Sequence, residues 1–213
     1  MLSTYYTVKG TGEHEIAIQK SRFIAHVTRV TSEEEAQEFI DSIKKQHWNA
    51  SHNCSCYMIG EQDLIQKAND DGEPSGTAGV PMLEVLKKRG LKDTAVVVTR
   101  YFGGIKLGAG GLIRAYSSAT SEGISAVGVV KQQLMTIYTV TFDYTLLGKV
   151  ENAVRSSDYP LKHIEYLDQV KLEIYVAAGA EDAFEEWMTN LTNGKALIEQ
   201  TGQEYLEEDV PTE

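Results

Sequence analysis

The sequence predicts an α+β protein of two domains, on three observations. Stretches that alternate apolar and polar residues, the period of a half-buried strand, are interleaved with stretches whose apolar residues recur at helical spacing. The length, 213 residues, suits one or two domains, each with a core of its own. Charge divides the chain unevenly. Residues 1–133 hold 15 Lys and Arg against 15 Asp and Glu, while residues 134–213 hold 5 against 16 and so carry the whole net charge of −11. The expected partition is a first domain over 1–133, a second over 134–208 and an acidic tail over 209–213, frayed from Glu207 onward.

The elements follow in order. His14–Ile18 and Arg22–Val30 alternate as strands and are expected to pair across a turn at Gln19–Lys20–Ser21. Ser32 followed by Glu35 fits a capping box, and Ala36, Phe39, Ile40 and Ile43 then repeat at helical spacing, predicting a helix over 33–46. Cys54–Ile59 and Leu64–Ala68 predict a hairpin about Gly60–Asp63. Leu83 and Leu86 mark the apolar side of a second helix, with Pro81 tolerated in its first turn and Gly90 ending it. Thr94–Phe102 reads as a buried, Val-rich strand; Leu112, Ala115, Tyr116 and Ala119 then mark a helix that ends near Gly128.

The remainder reads as strand Leu134–Tyr144, a helix marked by Leu147, Val150 and Val154, and strands Leu161–Tyr166 and Val170–Val176. A helix striped by Phe184, Trp187, Met188 and Leu191 follows, then a strand near Ala196–Tyr205. This β-α-β-β-α-β order is the ferredoxin-like arrangement.

Composition excludes several classes. At 42% hydrophobic and 24% charged the chain is ordinary globular material. No apolar run approaches the roughly 18 residues of a membrane span, so no membrane partner is expected. The start, MLSTYYTVKG, lacks the features of a signal peptide, and two cysteines one residue apart make no disulfide framework. A cytoplasmic location is the expectation.

The candidate site lies in residues 70–114. Gly72, Gly76 and Gly79 crowd the entry to the second helix, and Gly103, Gly104, Gly108, Gly110 and Gly111 crowd the entry to the third. Glycine permits close approach to the main chain, and a helix N-terminus offers free N–H groups and partial positive charge that suit phosphate. Lys106 and Arg114 flank that third start, where cations are disfavoured by about 0.3–1 kcal/mol each unless an anion sits between them. Seven basic residues against one acidic over Lys87–Arg114 give a local net charge of +6. Arg100, Tyr101 and Phe102 end the preceding strand; together they can clamp a phosphate and stack on an unpaired base, or both rings can belong to the core. The glycines can equally serve strand–helix packing. The spacing is not that of a Walker A loop.

Other residues are weighed and set lower. Asp70, Asp71 and Glu73 could hold Mg²⁺, but turn and cap chemistry, with Ser75 or Thr77 as the cap, accounts for them better. His52, Cys54 and Cys56 share a strand face without the four ligands of a structural zinc site, and the cysteines read as small buried hydrophobes. No catalytic residue, metal or cofactor is assigned.

Three segments then carry a resemblance. Ser51-His52-Asn53-Cys54, Asp71 to Gly79 (DGEPSGTAG) and Arg100 to Gly108 (RYFGGIKLG) closely resemble signature segments of the IMPACT family, with the likeness extending over about residues 15–128. Residues 134–208 resemble the small C-terminal domain of its bacterial members, similar to a C-terminal domain of elongation factor G. The resemblance implies a first domain of the ribosomal protein S5 domain 2-like type and a chain without the eukaryotic N-terminal protein-binding domain. It implies a role in translation, since eukaryotic relatives regulate translation through that extra domain. The expectation is a regulatory protein that binds structured RNA or the ribosome through the basic glycine-rich face. A basic protein is a further candidate partner for the acidic second domain. The alternatives are an enzyme transferring phosphate on a small molecule, because the fold type also hosts kinases, and a protein-binding adaptor.

Overall fold

The computed structural model describes residues 1–211, so the end of the expected acidic tail lies outside the described residues. It is a mixed α/β structure with two five-stranded sheets and five α-helices among the described residues. Two compact units divide it: Tyr5–Gln132 joined by the residues from Glu208, and Gln133–Glu207 joined by Met1–Thr4.

The chain opens with β1 (Thr4–Val8), a strand the pattern did not predict. β2 (Gly12–Ile18) and β3 (Ser21–Arg29) pair antiparallel, with Ile18 opposite Ser21. The two residues between them, Gln19 and Lys20, both adopt positive φ (45° and 67°), the turn whose twist matches that of the flanking strands. α1 (Glu33–Gln46) starts where Ser32 Oγ accepts from Glu35 N–H. The Glu35 carboxylate reaches back one residue further than a capping box requires, accepting from the Thr31 amide and hydroxyl.

β4 (His52–Ile59), β5 (Ile65–Asn69), α2 (Gly79–Lys88), β6 (Thr94–Tyr101) and α3 (Gly108–Val127) complete this unit. The sheet order is β2-β3-β6-β4-β5, with all four neighbouring pairs antiparallel. On one face α2 and α3 bury Met82, Leu86, Leu112, Tyr116 and Ala119 against Phe23, Ala25, Cys54, Cys56 and Val98. On the other, α1 buries Ala36, Ile40 and Ile43 against Tyr57, Ile59, Ala95 and Val97. Covered on both sides, the central strand β6 has no wet face, which is why it reads as continuous valine rather than alternation.

The second unit is built from β7 (Val129–Phe142), a 3-10 turn Tyr144–Leu146, α4 (Leu147–Arg155), β8 (Leu161–Tyr166), β9 (Val170–Ala177), α5 (Glu181–Thr192) and β10 (Leu197–Asp209). Its sheet runs β10-β7-β9-β8, with β1 also on β7. That is the ferredoxin-like strand order. Val150 and Val154 of α4 and Phe184 and Met188 of α5 meet Tyr138, Val140, Leu172 and Ile174 in one core. Asn193 in the left-handed region and Gly194 at φ 70° close α5.

The last strand corrects an expectation. Glu207–Asp209 do not fray but continue β10. Val210 N–H donates to the Val129 carbonyl at 3.0 Å, Lys9 Nζ lies 2.7 Å from the Asp209 carboxylate, and Lys131 Nζ lies 3.4 Å from that of Glu208. Backbone pairing and two lysines offset the repulsion that the acidic run suggested.

No helix among the described residues is long and apolar enough to cross a membrane.

Candidate functional site

Strand register assembles the centre of the site. Arg100 of β6 lies opposite Phe23 of β3 on one side and His52 of β4 on the other, so three side chains form a row across the sheet. The row is on the face covered by α2 and α3. The turn after β5 sends Glu73 into it, and α3 contributes Tyr116. Arg100 Nη1 donates to Glu73 Oε1 at 2.7 Å, and the Tyr116 hydroxyl donates to the same oxygen at 2.8 Å. The Arg100 and Glu73 side chains are 6% and 4% exposed. The guanidinium sits 5.3 Å from the centre of the Phe23 ring and 5.4 Å from that of Phe102. Phe23 in turn meets Tyr116 edge to face at 5.3 Å. Burial, with Cys54 and Glu73 nearby, pushes the Tyr116 hydroxyl far above its ordinary range, so it stays a donor.

The three acids of the turn have separate internal partners. Asp70 caps α2: its carboxylate accepts from the amides of Gly76, Ala78 and Gly79 at 2.8, 3.0 and 2.9 Å. The cap expected from Ser75 or Thr77 is therefore supplied from the far end of the loop, and Thr77 Oγ1 donates instead to the Pro74 carbonyl. This helix start has its own anion. Asp71 accepts from Lys44 Nζ and from the Asn53 amide, both at 2.7 Å. Glu73 is bound as described above. Among the described residues, no group of three or more His, Cys, Asp or Glu is arranged to hold a metal ion.

Burial raises the Asp70 pKa, but the three amides outweigh it and hold the carboxyl below its ordinary 3.8. The stabilisation is thus full above the ordinary value and lost as pH falls through the lower folded one. Asp70→Ala is expected to cost about 1–2 kcal/mol near neutral pH, the upper part of the range for a cap. The gap between wild type and variant should close in acid, as urea titrations at the two pH values would show.

The other helix start differs. No side chain caps α3 at Leu107. An open cavity of about 480 Å³ lies before it, lined by Ser51, His52, Glu73, Pro74, Arg100, Phe102, Lys106, Leu107, Gly108, Ala109 and Leu112. Phe102 is 48% exposed on its rim. Lys106 is exposed beside the first turn, and the space above Gly110 is bounded by Arg114, whose Nη1 would lie 3.6 Å from an added Cβ.

His52 stands at the floor. Its Nδ1 is 2.8 Å from the Asp71 carbonyl, which can only accept, so Nδ1 is the donor of this bond. Its Nε2 faces Glu73 Oε2 at 3.8 Å. The two neighbouring cysteines are core residues: Cys54 Sγ donates to the Asp70 carbonyl at 3.0 Å, and burial pushes its thiol up to about 12.

The expected site residues thus separate. Arg100 is a buried, paired cation and is not free for an external phosphate. Tyr101 lies on the α1 side, its hydroxyl 2.9 Å from His47 Nδ1 and donating to Asn49, with the Arg22 guanidinium 5.3 Å from its ring centre. Gly103 is half-buried and its amide donates to Ser21 Oγ, while the Phe102 amide donates to Ser51 Oγ, both at 3.1 Å. These two amides are already used. Phe102, Lys106, Gly108, Gly110 and Arg114 remain exposed at the cavity and the first turns of α3, as does Gly104 in the loop; Gly111 is half-buried, a Cβ there falling 2.9 Å from Leu107 Cβ. In the sequence, His52 and Glu73 read as possible metal ligands that rank below a structural role. The signal that could have placed them was that all three signature segments converge on this one cavity.

Comparison with known proteins places the chain in a family. Residues 19–124 match the Impact N-terminal domain and residues 140–195 match a domain of unknown function (DUF1949). The IMPACT family member YvyE of Bacillus subtilis is 65% identical over 99% of this chain and 97% of its own length. The chain belongs to the IMPACT family. A more distant IMPACT relative, YigZ of Escherichia coli, is 32% identical over 85% of this chain and 90% of its own. Among solved structures, a hypothetical protein superposes with a TM-score of 0.60 at 27% identity, covering 95% of this chain and 99% of that one. The two-domain bacterial form of the family is therefore the form of this chain.

Proposed function

We propose that this IMPACT protein is a translation-linked regulator that captures an unpaired nucleotide of structured RNA in the cavity before α3. The observation that carries the reading is the composition of the cavity wall: an exposed aromatic face, a lysine and an uncapped helix start around one space of about 480 Å³. That volume is within the usual range for a small-ligand site. A base stacks on Phe102, and its phosphate lies against Lys106 and the first turn of α3, with Arg114 one turn further. The cations then stand beside an anion rather than beside bare helix amides. The second unit, with its excess of acid, repels phosphate and leaves the first as the RNA-binding part.

Binding of a short single-stranded RNA, measured against salt, tests this. Phe102→Ala is expected to cost about 1–3 kcal/mol at any salt, the worth of one base–aromatic stack. Lys106→Ala should lower the log–log salt slope by about 0.7, one phosphate contact on a single strand. Unchanged affinity in the first and unchanged slope in the second would remove the site. Arg100 is unsuitable for this experiment, since its loss disturbs the cavity floor itself.

A further inference from the structure

The floor of the cavity has a polarity that selects among bases. His52 Nδ1 is committed to the Asp71 carbonyl, so in its neutral form the ring presents the Nε2 lone pair to the cavity. Glu73 Oε1 is saturated by Arg100 and Tyr116. Its Oε2 has no hydrogen bond among the described residues and stands 3.8 Å from His52 Nε2. Two acceptors thus face each other, too far apart to share a hydrogen bond and close enough for neighbouring N–H groups of one planar edge to reach both. Both residues line the cavity. Neither acceptor has a hydrogen-bond donor among the described residues, so a ligand carrying two donors gains most here.

Charge narrows the class. Glu73 is already neutralised by Arg100, and Lys106 adds a further cation, so a second cationic group such as an amidine or guanidinium is disfavoured. The fitting ligand has a neutral two-donor edge attached to an anion. Of the four common bases, guanine alone offers two adjacent donors, N1–H and the 2-amino group. Adenine and cytosine place an acceptor next to the amine, and uracil flanks its single N–H with carbonyls.

We infer that the cavity is a guanine nucleotide site, with His52 Nε2 and Glu73 Oε2 accepting from the base edge and the α3 start receiving the phosphate. This rests on the nucleotide reading above and sharpens it.

The test is calorimetric titration of the full chain with GMP, IMP and AMP, and with RNA oligonucleotides of equal length with and without a single unpaired guanine. IMP lacks only the 2-amino group. GMP is expected to bind about tenfold more tightly than IMP, the worth of one hydrogen bond whose acceptor is otherwise stranded, and more tightly than AMP. His52→Ala should abolish the GMP-over-IMP preference while binding of both persists. A guanine-bearing oligonucleotide that binds more tightly than GMP identifies RNA as the source of the base; equal affinity identifies the free nucleotide. Equal binding of all nucleotides overturns the guanine assignment and leaves the RNA reading standing. No binding of any mononucleotide or oligonucleotide overturns both.

Discussion

Arg100→Ala is expected to destabilise the N-terminal unit by about 3–5 kcal/mol, the cost of breaking a buried ion pair from one side. The Glu73 carboxylate would keep the Tyr116 hydroxyl but lose the guanidinium that neutralises it, at a position where its side chain is 4% exposed. Removal of the guanidinium also strips a packing partner from between Phe23 and Phe102. Urea titration followed by circular dichroism measures the loss. A companion double variant, Arg100→Met with Glu73→Gln, should recover most of it, because replacing both members of such a pair is far gentler than removing one. A single-variant loss below about 1 kcal/mol would mean that the carboxylate finds water or another partner, contrary to the burial seen here.

Gly103→Ala should be as damaging, for a steric reason. A Cβ at this position would fall 2.0 Å from the Lys20 carbonyl oxygen, 2.1 Å from its carbon and 2.6 Å from the Ser21 nitrogen. Those atoms are backbone, in a hairpin turn already held at two positive φ angles, and cannot swing aside. The expected cost is about 3 kcal/mol or more, at or beyond the upper end for overpacking. Gly104→Ala makes the control. Nothing lies within 4 Å of that Cβ, and only its φ of +87° opposes the change, so the loss should be nearer 1 kcal/mol. Equal losses in the two variants would show that the loop shifts to admit the methyl group. The close approach that glycine permits at residue 103 is thus to the chain's own hairpin, not to a ligand.

The legible parts of the fold were those governed by near neighbours. The turn at Gln19–Lys20, the Ser32 cap with Glu35, the apolar stripe of α5 and its Gly194 stop are each decided within a few residues, and each stands where the pattern put it. β1 was not legible, because a short edge segment carries little periodic signal and its pairing partner, β7, begins more than a hundred residues later. The Asp70 cap was missed for a related reason. A cap is sought at the residue before the helix, whereas this carboxylate serves amides six to nine residues downstream.

By itself, the sequence determined the class of each element except β1, the β-α-β-β-α-β order of the second unit and family membership. Those properties rest on local periodicity, turn chemistry and motif. Tertiary structure alone decided what the charged residues do. Strand register set Arg100 between Phe23 and His52, and a loop from β5 brought Glu73 onto it. Of two glycine-rich helix starts that look alike as strings of letters, one is filled by Asp70 and the other opens on a cavity. A cation's availability depends on which carboxylate reaches it first, and that is a matter of distance through space.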